Sequence, residues 1–261
     1  MTNHSRRGLT AGEFSTVPAP SGRFAQPDRR PRRDSSLTRR IEVAFLLDDG
    51  TSRVSQHAVP DHPVFLETAG ALARGTVVRT SQGPVAVEDL LPGDELPCKG
   101  GRTAEILWIG STLIAPTTSG GVSSLTRVMP DAFGFGRPQT DVLLGPGARL
   151  LHAQPGLASL TGAAEVLTPL HDFLDGETAV AVTPPTPVRT YHLVLARHAA
   201  FEAGGLMIES FHPGLRAAET LGPTLRPLFL SLFPHLSDLA EFGALGWPRV
   251  SGETLARLTA A

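Results

Sequence analysis

Turn-forming residues recur along this chain at intervals too short for long helices, and β-branched runs fill the spaces between them. The clearest case is Gly75-Thr76-Val77-Val78-Arg79-Thr80-Ser81-Gln82-Gly83-Pro84-Val85-Ala86-Val87, two such runs around a Ser-Gln-Gly turn. That is the pattern of a β-hairpin. Val87-Glu88-Asp89-Leu90-Leu91 then meets Pro92-Gly93-Asp94, where proline presets one turn φ and glycine frees the next, so the chain turns into Glu95-Leu96. Upstream, Ile41, Val43, Phe45 and Leu47 alternate before Asp48-Asp49-Gly50, and Thr51 to Val54 follow, which predicts another hairpin. Further short apolar runs occupy 106–109, 141–144, 149–152, 179–182, 191–195 and 206–208. Glycine and proline supply 27 and 23 of the 261 residues. Together these features predict a mainly β fold, closed or strongly curved.

With 41% hydrophobic residues the chain can bury a substantial core. Its single cysteine, Cys98, excludes an internal disulfide framework and a cysteine cluster for zinc. The overall net charge of -2 conceals an asymmetry: residues 1–40 hold nine arginines against Glu13, Asp28 and Asp34, a net of +6. Residues 1–39 carry too little apolar surface to offset the entropy of ordering, and are expected to form a flexible, disordered basic arm. Clustered arginines could also contact nucleic acid or an anionic membrane surface, although only Phe14 and Phe24 supply aromatic rings for stacking. No apolar core of a signal peptide follows the early arginines, and no run of about 18 apolar residues could span a membrane. The default expectation is therefore a soluble, cytoplasmic protein with no transmembrane segment.

The remaining organisation is a hairpin and connector over 40–62, a β domain over 63–214 and a helical segment over 215–261. Residues 55–70, with Pro60 and Pro63, read as connector. Leu225, Leu228, Phe229, Leu232 and Phe233 recur at helical spacing, with Thr224 as N-cap, Pro227 in the first turn and Pro234 as the stop. Shorter helices are predicted after Ser237, through Phe242, and after Ser251, over Glu253 to Leu258. The apolar stripe of the longest is expected to pack on the chain's own β domain. No internal repeat is visible.

Ala71-Leu72-Ala73-Arg74-Gly75-Thr76 with its continuation to Asp94, Asp141 to Leu151, and Val188 to Phe211 together resemble the Hint superfamily, the fold shared by Hedgehog autoprocessing domains and inteins, and especially its bacterial branch. The first runs from Ala71-Leu72-Ala73-Arg74-Gly75-Thr76 to Val87-Glu88-Asp89-Leu90-Leu91-Pro92-Gly93-Asp94 and is similar to the family's opening block, where a nucleophile precedes a Gly-Thr strand. The second, Asp141-Val142-Leu143-Leu144-Gly145-Pro146-Gly147-Ala148-Arg149-Leu150-Leu151, resembles the block that carries a Thr or Ser and, three residues on, a His. The third, from Val188 to Phe211 with Tyr191-His192-Leu193, His198 and Ala203-Gly204-Gly205, resembles the closing strand pair. Glu209-Ser210-Phe211-His212-Pro213-Gly214 follows in the manner of the bacterial branch. The resemblance spans 64 to 214 and implies a horseshoe-like β fold.

The chemistry implied by the resemblance needs a thiol or hydroxyl to attack the preceding carbonyl and a histidine to protonate the departing amide nitrogen. Here the nucleophile position is Ala71, and the Thr/Ser and His positions are Gly145 and Ala148. Glu209-Ser210 stands where splicing would require a terminal His-Asn. The expectation is a catalytically inactive Hint domain kept for binding or assembly with an unknown protein partner. The alternative is a self-cleaving protease of altered mechanism that uses an unconventional nucleophile.

The weak candidates for residual chemistry are Thr76, His192 and His198. Thr76 is expected to be a strand residue. In a continuous strand, histidines six apart would lie on one face about 20 Å from each other and could not share a metal. Each is either a relic of an old site or a hydrogen-bonded structural residue. Cys98 reads as a small buried hydrophobe. His57, His62, His152, His171 and His235 lack ligand spacing, so no metal is expected. Gly145-Pro146-Gly147 and Gly134-Phe135-Gly136 lack the third glycine of a dinucleotide loop, and no phosphate loop occurs, so no cofactor is expected.

Overall fold

A computed structural model describes residues 38–115 and 125–259. The expected basic arm lies outside these residues, except that Thr38 and Arg39 already belong to the first strand. The elements run in the order β1 (Thr38–Leu46), β2 (Ser52–Pro60), α1 (Pro63–Ala69), β3 (Leu72–Ala73), β4 (Val77–Thr80), β5 (Gly83–Ala86), β6 (Glu95–Cys98) and β7 (Arg102–Ile114). They continue with β8 (Leu125–Val128), β9 (Val142–Leu144), β10 (Arg149–Ala153), α2 (Leu157–Thr161), β11 (Glu165–Pro169), β12 (Ala179–Val182) and β13 (Val188–Leu195). β14 (Ala200–Ala203), β15 (Leu206–Glu209), α3 (Ala217–Leu230) and α4 (Gly252–Thr259) complete the described chain. Short 3-10 turns lie at Val87–Asp89, Leu170–Phe173 and Leu239–Phe242.

The strands form one antiparallel path, β11-β10-β15-β14-β6-β7-β13-β3-β9-β8-β12. It does not close, since β11 and β12 are its two ends. The β1–β2 hairpin adds onto β7, and the β4–β5 hairpin onto β14. β7 is the spine, pairing with β6 at its start and with β13 and β1 farther along. The alternation that predicted the first hairpin is its packing rule, because Ile41, Val43 and Phe45 are buried on β1 while most of β2 stays in contact with solvent. Among the described residues no helix is long and apolar enough to cross a membrane.

Residues 55–70, expected as connector, instead hold β2 and α1. Pro60 ends a strand whose outer edge has no partner strand among the described residues, where a missing N–H costs nothing. Pro63 is the first residue of α1, the one helical position that suits proline, and the Val64 N–H bonds to His62 Nδ1 at 3.3 Å. In the C-terminal segment, Gly222 at φ 57° breaks α3 into two parts and Pro223 opens the second, so Thr224 is inside the helix and is not its cap. Leu228 is exposed, whereas Phe229, Leu232 and Phe233 are buried. Asp238, one residue beyond Ser237, caps the 3-10 turn through the Ala240 N–H. Ser251 caps α4 through the Thr254 N–H at 3.4 Å.

Two large apolar cores result, with three smaller clusters beside them among the described residues. One fills the sheet around Leu72, Leu96, Ile106, Leu144 and Phe201. The other joins the hairpin and α1 to the C-terminal segment through Phe65, Trp108, Phe211, Phe229 and Phe233. Trp108 is its pivot: the ring lies 4.7 Å from that of Phe233 and Nε1–H donates to Leu232 O at 2.6 Å. The indole lies over Gly110, where an added Cβ would come within 2.0 Å of the ring. Gly110→Ala is therefore expected to force an overpacked core at a cost of about 1–3 kcal/mol. Urea titration should show a lower midpoint with an unchanged slope, and a variant as stable as the parent would contradict this packing.

Candidate functional site

The resemblance directs attention to the peptide between Gly70 and Ala71. α1 ends at Ala69, and Gly70 caps it. A Cβ at Gly70 would lie 2.4 Å from Leu66 O, so the tight exit from the helix requires glycine. The Ala71 N–H then donates to Tyr191 O at 3.0 Å and the chain enters β3.

The loop between β9 and β10 lies directly on this peptide. Gly147 N–H donates to Gly70 O at 2.8 Å, and Gly145 N–H donates to Ala71 O at 2.7 Å. A Cβ at Gly145 would lie 2.2 Å from Gly70 O, and one at Gly147 would lie 2.3 Å from Glu67 O. Only a loop without side chains at both positions can approach so closely. Ala148 N–H turns back onto Gly145 O at 3.1 Å. The structure thus brings the Ala71 and Gly145–Ala148 segments together, and the methyl groups of Ala71 and Ala148 are both fully buried in the sheet core.

Each of the three weak candidates has hydrogen-bond partners other than this peptide. Thr76 is buried and its hydroxyl donates to Ala73 O at 2.7 Å. His192 lies between two main-chain carbonyls, with Nδ1 3.0 Å from Glu67 O and Nε2 3.4 Å from Glu209 O. Burial holds its imidazole down to about 4, against the two carbonyls and Glu209, which favour the charged form. A neutral ring has a single N–H to donate, and the shorter contact places it on Nδ1, bonded to Glu67 O at the end of α1.

The expected separation of His192 from His198 needs correction. β13 ends at Leu195 and the chain reverses into β14, so no continuous strand carries both histidines. Both contact Glu209 instead, His192 at its carbonyl and His198 at its carboxylate. Gly246 N–H donates to His198 Nδ1 at 2.8 Å, which leaves the proton on Nε2, 2.8 Å from Glu209 Oε1.

Glu209 is the residue that the sequence reading missed. Its side chain is only 2% exposed, yet it receives Arg249 Nε at 3.0 Å and Nη2 at 2.8 Å, with Arg149 Nη1 3.7 Å from its other oxygen. Burial opposes its ionisation, but the His198 hydrogen bond and the two arginines outweigh burial and hold the carboxyl below its ordinary range. The signal in the sequence was an acid directly after the apolar run Leu206-Met207-Ile208 of a buried strand, which calls for a cationic partner. That partner, Arg249, lies 40 residues on.

The other reactive types have structural partners or none. Cys98 is buried at the end of β6, and burial pushes its thiol up. His62 accepts from the start of α1, His57 bonds Ser55, and His152 bonds Thr168. Among the described residues, no three His, Cys, Asp or Glu side chains are grouped to hold a metal ion.

A family model described as a Hint domain matches residues 70–215. No curated protein matches the chain. Similar solved structures include a crystal structure of the gp41-1 intein, at 13% identity and a TM-score of 0.34, covering 54% of this chain and 99% of that one. A solution structure of a bacterial intein-like domain from Clostridium thermocellum is similar at 12% identity and a TM-score of 0.33, with the same two coverages.

The buried histidines set the response of this region to acid. His212, whose Nδ1 accepts from Gly214 N–H and whose Nε2 donates to Gly243 O, is also lowered to about 4, mainly by burial. His192 and His212 thus bind protons in the unfolded chain near the ordinary 6.5 but in the folded chain only near 4. Their contribution to stability is complete above the unfolded value and is lost as pH falls through this window, by roughly 3 kcal/mol for His192. Urea midpoints measured from pH 7.5 to 4 should fall through that interval, and a flat profile would contradict the buried neutral rings.

Proposed function

Since this chain belongs to the Hint domain family, whose model matches residues 70–215, we propose that it is a catalytically inactive Hint domain retained as a binding or assembly module. The observation that carries this reading is the buried Ala71 methyl just before β3, beside the Gly70 carbonyl that a family nucleophile would attack. A methyl group has no lone pair, so the covalent route has no starting point. Ala148 supplies no proton, and loss of such a group typically costs about 10²–10⁴ in rate. At Gly145 a hydroxyl-bearing side chain would overlap Gly70 O. A self-cleaving reading through Thr76 lacks support, because its hydroxyl is bonded to Ala73 O and no histidine bonds to it.

The test restores the missing atoms. Incubated with hydroxylamine or a small thiol, the parent chain is expected to stay intact. Ala71→Cys is expected to release residues 1–70 slowly, and adding Ala148→His should accelerate that release. Cleavage of the parent at the Gly70–Ala71 peptide would overturn the inactive reading. If both the Ala71→Cys chain and the double variant stay inert while keeping the parent's circular dichroism, the site assignment is contradicted.

A further inference from the structure

Away from the Gly70–Ala71 peptide the protein carries a cleft of about 1270 Å³. Its floor is a break in the sheet. β10 and β15 are antiparallel but pair only at Leu150–Ile208. Continuing that register would set Leu151 opposite Met207, His152 opposite Leu206 and Ala153 opposite Gly205, yet all six of these residues line the cleft. β10 keeps its other edge paired to β11 throughout, and β15 keeps its other edge paired to β14. The ladder therefore opens where it should continue, and strand edges of this kind accept an extended chain.

The wall facing this break is the loop between β8 and β9, and it is preorganised. Asp131 N–H bonds to Pro138 O, Phe133 N–H to Arg137 O, Gly134 N–H to Asp131 O, and Arg137 N–H to Gly134 O, all at 2.9–3.0 Å. Gly136 N–H adds a bond to Asp131 Oδ1 at 2.5 Å. The Phe133 ring anchors the loop edge-on to Phe173 at 5.1 Å. At the tip of this fixed loop Phe135 is 100% exposed. A large apolar side chain held in water by a hydrogen-bonded loop has the features of an interface anchor, because little order remains to be lost on binding.

Charge decides the chemistry of the occupant. Around the cleft, Arg79 pairs with Glu202, Lys99 with Glu165, and Asp141 with Arg127 just outside the lining. Arg137, two residues from Phe135, is the one lysine or arginine of the lining with no ion-pair partner among the described residues.

We propose that this cleft binds an extended peptide segment of a partner protein, which runs along the open edges of β10 and β15, packs an apolar side chain on Phe135 and sets a carboxylate on Arg137. The proposal deepens the binding reading given above and rests on it. Phage-displayed random nonapeptides selected on the full chain supply the probe, which is then synthesised, labelled with fluorescein and titrated by anisotropy. The selected sequences are expected to share an acidic residue and a large apolar residue. Phe135→Ala and Arg137→Glu should each weaken binding at least tenfold while leaving the thermal midpoint unchanged, since Phe135 touches no core.

No enriched sequence, or selected peptides indifferent to both substitutions, would overturn the proposal. A concentration-dependent dimer in sedimentation, lost in Phe135→Ala, would overturn it in favour of a second copy as the occupant. Intact mass recorded on the same samples separates the two readings, because self-cleavage counts against inactivity alone and indifferent peptides count against the cleft alone.

Discussion

Two backbone hydrogen bonds, from Gly147 to the Gly70 carbonyl and from Gly145 to the Ala71 carbonyl, fix the centre of this molecule. They can form only because neither donor residue carries a side chain, and Gly70 is constrained in the same way against the end of α1. The β9–β10 loop therefore lies directly on the Gly70–Ala71 peptide. Around it Ala71 and Ala148 are packed as core residues. At these positions the chain presents backbone contacts and buried methyl groups.

Much of this arrangement was legible in the residues. Alternation at Ile41, Val43 and Phe45 marked a half-buried hairpin strand, and the Ser-Gln-Gly turn marked the β4–β5 pair. The blocks beginning at Ala71 and ending at Leu151 were read as parts of one site, and they are in contact. What escaped the sequence is what depends on position within an element or on distant partners. Proline was read as a breaker at Pro63, where it starts a helix, and at Thr224 a good capping residue was displaced by the stronger start signal of Gly222-Pro223. His192 and His198 were separated by assuming one strand, whereas the chain reverses after Leu195. The role of Glu209 could not be seen locally, because its cations come from β10 and from the segment before α4.

That buried carboxylate also explains how the chain beyond the family's span is integrated. Arg249 reaches back to Glu209 and to His212 O, Gly246 to His198, and Gly252 to Asp172. Val250 N–H donates to Leu167 O, and Leu167 N–H donates to Pro248 O. With the aromatic cluster on Trp108, these contacts make the C-terminal segment part of the same packed structure as the β domain. Glu209, at the end of β15, is thus an interior anchor.

The central claim is that the Gly70–Ala71 peptide is inert because its would-be nucleophile is a buried methyl group. Intact mass of the full chain, recorded immediately after expression and again after prolonged incubation, addresses it most directly. A single species of all 261 residues at both times is the expected result. Fragments corresponding to residues 1–70 and 71–261 would contradict it.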